Sequence, residues 1–227
     1  MPPNRPTKKE RREATKAARF EAERKARKQR RTRFAYGGIG AAAVIGLIVA
    51  LVLSSGSSNT INVAALNKDA SAAGCSNLTT LPDQGRSHIV SPQTFQYNSN
   101  PPTSGSHYNV PGIAPAPTGV HLQPVQDEDQ VHNLEHGHII IQYNGLAQDV
   151  ITALESFTRA HDSYTLMAPR PQLPTDTQLA FTRWDQKITC AAPTNADSVV
   201  KVAQTFYNDF HGLGPEGALP GTPLSSG

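Results

Sequence analysis

The run His132-Asn133-Leu134-Glu135-His136-Gly137-His138-Ile139-Ile140-Ile141 decides how the chain folds, because its periodicity changes midway. From about Asp127 to His136 the residues fit one short helix, and Gly137 interrupts it. The β-prone Ile139-Ile140-Ile141, with nearby Tyr143, then reads as a strand that Asn144-Gly145 turns. Working outward, Val150, Ile151, Leu154 and Phe157 recur at helical spacing and predict an amphipathic helix over Leu146 to Ala160. Tyr164 to Met167 and Gln178 to Trp184 read as strands, and Asn195 to Phe210 as a helix with Val199, Val200, Ala203 and Phe206 inward. Before Val120 the chain is crowded with Pro101-Pro102, Gly105, Pro111-Gly112, Pro115 and Pro117, so loops or short edge strands are expected there. This order of elements predicts an α+β domain: a small, mostly antiparallel sheet with helices packed on one face.

The same run holds three of the chain's eight histidines and a carboxylate within seven residues, and His107 stands upstream in Ser104-Gly105-Ser106-His107-Tyr108. Neutral imidazole is a common ligand for zinc and copper. His107, His132 and His136 are therefore the predicted metal ligands, with Glu135 as a further ligand or as the group that orients them, and zinc or copper(II) is the expected ion. Copper(I) is disfavoured, since soft sites use Cys and Met and the outer domain offers only Met167 if its cysteines are oxidised. His138 reads as a packed or surface residue; His88, His121, His161 and His211 read as isolated surface residues.

Two rival readings use the same residues. His107, His132, Glu135 and His136 could form a hydrogen-bonded network that pins the Pro-rich loop to the strand, as scaffolding for contacts with another envelope protein or the wall. Alternatively, the pentad His132 to His136 matches the HxxEH pattern of inverted zinc proteases, with Glu135 as base. Gly137 tells against the longer helix that pattern needs, and no third ligand is identifiable by spacing. Binding rather than turnover is expected, and no catalytic residue is assigned. Ser104 reads as a turn residue, Asn77-Leu78-Thr79 is a glycosylation sequon, and no phosphate-binding loop or nucleotide fingerprint is present.

Charge is divided unevenly along the chain. The first 33 residues carry fourteen basic and four acidic side chains, a net +10, while the remaining 194 carry seven basic and fourteen acidic, a net −7. Phe34 to Leu53, FAYGGIGAAAVIGLIVALVL, has no charged residue and no proline. About 20 such residues suffice to cross a hydrocarbon core of roughly 30 Å. The basic excess upstream orients this span with the N-terminus in the cytoplasm and the rest of the chain outside the cell membrane. Cleavage within Ser54-Ser55-Gly56-Ser57-Ser58 is the competing outcome. The basic arm is expected to lie against anionic lipid headgroups; nucleic acid is not an expected partner.

The expected organisation is a basic cytoplasmic arm over 1–33, a transmembrane helix over 34–53, a tether over 54–74, an extracytoplasmic domain over 75–210, and a disordered Gly/Pro/Ser-rich tail over 211–227. Cys75 and Cys190, the two cysteines, fall on the oxidising side of the membrane and are expected to pair. Such a bridge closes a loop of over a hundred residues, for which chain entropy suggests about 4 to 5 kcal/mol.

With NPPTSGSHY (Asn100 to Tyr108) and VHNLEHGHIIIQY (Val131 to Tyr143), the chain resembles the bacterial domain of unknown function family numbered 3105. The likeness extends more loosely through Ala168-Pro169-Arg170-Pro171, Trp184 and Cys190, from about Cys75 to Phe210. It implies a single-pass or secreted envelope protein. It also places Pro101, Pro102, Thr103, Ser104, Gly105, His107, His132, Asn133, Leu134, Glu135, His136 and Gly137 in the family signature. The resemblance carries over neither His121 nor His138 as functional residues. It supplies a fold unit and an address, not a reaction.

Overall fold

A computed structural model describes residues 61–193 and 195–224. The elements run in the order α1 (Val63–Ala72), β1 (Thr79–Thr80), β2 (His88–Ile89), β3 (His107–Tyr108), β4 (Gly119–Val120), α2 (Asp127–Glu135), β5 (Ile139–Tyr143), α3 (Gln148–Ala160), β6 (Thr165–Pro169), β7 (Leu179–Arg183), β8 (Gln186–Cys190) and α4 (Ala196–Phe210). The expected α+β class holds. The expected basic arm and membrane span over 1–53 lie outside the described residues; among the described residues no helix is long and apolar enough to cross a membrane.

Six strands form one sheet in the order β1-β8-β7-β5-β6-β4, and β2 pairs with β3 separately. The sheet is mixed: the pairs β1–β8, β8–β7 and β7–β5 are antiparallel, whereas β5–β6 and β6–β4 are parallel. The parallel β5–β6 pair follows from α3, since a crossover helix returns the chain to the same end of the sheet.

Helices cover both faces, not one. Ile139, Ile141, Met167, Leu179, Phe181 and Ile188 point to one face and pack with Leu66 of α1, Leu154 and Phe157 of α3, and Val199 and Phe206 of α4. Ile140, Leu166 and Ala168 point to the other, against Val131 and Leu134 of α2 and against Trp184. The cause is the composition of β5: three consecutive isoleucines are apolar on both sides of the pleat, so both sides need cover.

Three segments depart from the sequence reading. Residues 63–72, expected within a tether, form α1, whose Asn62 side chain accepts from the Ala65 amide and whose Asp69 meets Lys201 at 2.8 Å and Thr205 at 3.0 Å on α4. Strand β8 was not foreseen. The segment from His211 to Leu224, expected to be disordered, is bonded to the domain through Gly212 N to Gly137 O (2.8 Å), Gly221 N to Ser163 O (2.7 Å) and Leu224 N to Thr118 O (2.9 Å). Its glycines allow that approach: a Cβ on Gly214 would stand 2.1 Å from the Glu135 carbonyl oxygen. The Cys75–Cys190 disulfide is formed, tying the segment after α1 to the end of β8.

Candidate metal centre

Helix α2 presents the centre, and its position is held at both ends. Asp127, Glu128 and Asp129 occupy the first turn, where carboxylates favour the positive end of the helix dipole. Arg170, just after β6, grips the Asp127 carboxylate with both terminal nitrogens and donates from Nε to Asn100 Oδ1 at 2.9 Å. At the other end Gly137 takes φ +79°, with Gly137 N bonded to Leu134 O and His138 N to Asn133 O, each at 3.0 Å. That is a Schellman stop. It ends the helix sharply enough for β5 to begin two residues later.

Between these ends Asn133 stitches the Pro-rich loop down. Its Oδ1 accepts from Ala116 N at 3.0 Å, and its Nδ2 donates to Ala116 O at 2.8 Å and to His138 Nδ1 at 2.9 Å. His138 Nε2 donates to Leu219 O at 2.8 Å. Both ring nitrogens of His138 are thereby used, and burial holds its pKa down at about 4. It is a packed histidine, one of the two placements expected for it.

His132 and Glu135, three residues apart, share one face of α2. Facing them is His107 on β3, and parallel pairing of β2 with β3 sets His88 directly beside His107. His88, His107, His132 and Glu135 each offer a ligand atom, and these four atoms lie within 4.8 Å of one another. Three of the four predicted ligands thus converge. The fourth, His136, lies next to them with its ring centroid 4.7 Å from that of His132, but outside the group; His88 takes the place expected for it. His88 had no recognisable spacing to the others, because only the β2–β3 ladder brings it there. Its side chain is 42% exposed, so solvent reaches the group from that side.

The hydrogen bonds orient the rings. His107 Nδ1 lies 2.9 Å from Gly105 O, and His132 Nδ1 lies 2.7 Å from Tyr108 O. Carbonyls only accept, so both Nδ1 atoms carry hydrogen and each neutral ring presents a bare Nε2 inward. This is the arrangement in which backbone carbonyls fix the tautomer of metal-binding histidines. Burial lowers the pKa of His107, and it lowers that of His132 to about 4, so His132 is neutral at pH 7.

Glu135 is fully buried, and burial together with the nearby Glu216 carboxylate raises its pKa. Its Oε2 stands 3.0 Å from His107 Nε2 and 3.8 Å from His88 Nε2, while its Oε1 is buried with no hydrogen-bond partner. Such an unpartnered carboxylate oxygen is costly to bury. A cation among these atoms would satisfy it, and the donor set of three imidazoles and a carboxylate is of a kind that binds zinc or copper(II).

The remaining histidines stand apart. His121 donates to Pro117 O, His161 to Phe157 O and His211 to Tyr207 O, at 2.7, 2.9 and 2.7 Å. The two cysteines are bonded to each other and cannot join the centre as thiolates. Ser104 is buried and accepts from Gln84 N at 3.1 Å, in a loop role rather than as a nucleophile.

No curated protein and no solved structure matches the chain. The sequence profile of one family matches residues 88–218, which include every member of the His/Glu group. On that match over more than half its length, the chain belongs to the family described as protein of unknown function, DUF3105.

Proposed function

We propose that this is a membrane-anchored protein that binds a zinc or copper(II) ion on the outer side of the cell membrane through His88, His107, His132 and Glu135. The observation that carries the reading is the convergence of four ligand atoms within 4.8 Å of one another, one of them from the buried Glu135 carboxylate, whose Oε1 lacks a hydrogen-bond partner. The two Nδ1 donations to backbone carbonyls support it, because they leave Nε2 free on both buried rings. The disulfide supports an oxidising compartment. The anchor, its N-in orientation and the contact of the basic arm with anionic lipid rest on the sequence of residues 1–53.

Binding or sequestration fits better than turnover. The 3.0 Å contact of Glu135 Oε2 with His107 Nε2 supports a part for this carboxylate in the donor set rather than as a free base. A second reading has its own observation: a single proton shared at 3.0 Å between His107 Nε2 and Glu135 Oε2 also closes the network, leaving the cluster as scaffolding for an envelope partner.

Elemental analysis of the full-length protein, purified without a His tag and loaded with zinc or copper(II), separates the two. Near-stoichiometric metal that is lost in a folded His107→Ala/His132→Ala variant supports the centre. No metal in the loaded wild type leaves the scaffold.

A further inference from the structure

Beside the inner group stands a histidine it does not use. His136 follows His132 by one turn, its side chain is 10% exposed, and its Nδ1 is buried without a hydrogen-bond partner. The facing group is Glu216, from the C-terminal segment, whose Oε2 lies 3.8 Å away. That is too long for a hydrogen bond. It is a few tenths of an ångström beyond the roughly 3.3 to 3.5 Å that separates two ligands of one tetrahedral zinc ion.

The backbone fixes this opposition. Glu216 N donates to Glu135 O at 3.2 Å, Leu219 N to His136 O at 3.4 Å, and Arg86 Nη1 to Pro215 O at 3.1 Å. Gly214 packs so closely that a Cβ there would meet Glu135 O at 2.1 Å and Gly137 N at 2.4 Å. The Glu216 side chain itself remains 41% exposed. Exposure therefore falls stepwise, from Glu216 through His136 to the fully buried Glu135. His136 also lines a cleft of about 440 Å³ whose walls include Pro115, Pro117, Leu219 and Thr222. His136 thus borders the cleft while its ring abuts that of His132.

We propose that His136 and Glu216 form an outer cation-binding position that captures a partly hydrated transition-metal ion and passes it to the inner group. The proposal rests on the inner group being a metal centre. An exposed carboxylate exchanges water for protein ligation first; the neighbouring imidazole, held 4.7 Å between centroids from His132, takes the ion next. No covalent or redox change is involved.

The test is stopped-flow mixing of full-length protein in detergent micelles with cobalt(II), followed by its visible absorption. Salt is held at about 1 M so that long-range attraction is screened to about 3 Å. Glu216→Gln and His136→Asn are expected to retain one cobalt per chain at equilibrium. Each should load about tenfold more slowly, the low end of what losing an outer partner of a metal site costs. The double variant should be no slower than the slower single one, because the two residues act as one site. Unchanged loading rates in both single variants would overturn the outer position, as would loss of equilibrium binding in His136→Asn, which would put His136 in the inner group. Absence of cobalt binding in the wild type is a different result, since it removes the metal centre itself.

Discussion

His107 Nε2 faces Glu135 Oε2 at 3.0 Å, while His107 Nδ1 is already committed to Gly105 O. A neutral ring in that tautomer and an ionised carboxylate would both present lone pairs, so something positive must lie between them. Either a proton or a metal ion meets the requirement. Burial lowers the pKa of His107 and raises that of Glu135, so without metal both shifts work against the ion pair and toward a neutral pair that shares one proton.

Metal uptake should therefore displace that proton. Calorimetric titration of the full-length protein with zinc near pH 7, repeated in buffers of different ionisation enthalpy, is expected to show release of about one proton per ion. An enthalpy independent of buffer would mean that the contact is not proton-bridged in the metal-free protein.

Gly105 should matter for two reasons. It has φ +129°, and a Cβ would meet the Phe95 ring at 2.6 Å, so Gly105→Ala strains the loop whose carbonyl aims His107. Overpacking of this kind costs about 1 to 3 kcal/mol. Disturbing the carbonyl that fixes a ligand's tautomer should also weaken metal affinity about 10- to 100-fold. Chemical denaturation and metal competition on the same variant check both; wild-type values in both would remove Gly105 from the account.

His138 should contribute one part of the pH dependence of metal-free stability, beside His132, whose pKa burial also lowers to about 4. The folded pKa of His138 is about 4 against an ordinary 6.5, so between those values the unfolded chain binds the proton and the folded one does not. The stabilisation is complete above about pH 6.5 and is lost as pH falls toward 4, by up to about 1.4 kcal/mol per pH unit. His138→Gln should lower stability at pH 7 and flatten this slope by about one proton. A slope unchanged in that variant would show that His138 does not titrate as its hydrogen bonds require.

The elements that sequence revealed are those with a clean period. Val150, Leu154 and Phe157, and likewise Val199, Ala203 and Phe206, repeat at helical spacing because one side of each helix meets the sheet. The observed helices begin at Gln148 and Ala196, within two residues of expectation. Strand β8 was missed because only Ile188 and Cys190 of its five residues are buried, and its turn from β7 uses Asp185 at φ 60°, with no glycine to mark it. Helix α1 buries only Leu66 and Ala70, too few to stand out from a tether. Ile139 to Ile141 was read correctly as a strand, yet its unbroken apolarity also required cover on both faces.

The centre divides in the same way. His132 and Glu135 were legible because ligand-type side chains crowd residues 132–138, and His107 because it lies in a dense, punctuated loop; the same crowding also selected His136, which stands outside the group. His88 was not legible, since a two-residue parallel ladder carries no sequence period. The segment over 211–224 looked disordered because Gly and Pro dominate it, but those glycines are what let its backbone close on Glu135 and Gly137.

X-ray absorption at the metal edge of the zinc- or copper(II)-loaded full-length protein tests the central claim most directly. The account predicts four protein ligands at about 2.0 to 2.2 Å, with the outer-shell scattering of three imidazoles. One imidazole should be lost in each of His88→Ala, His107→Ala and His132→Ala that still retains metal. A spectrum with no imidazole scattering, or one unaffected by His107→Ala and His132→Ala, would place the metal elsewhere and contradict the account.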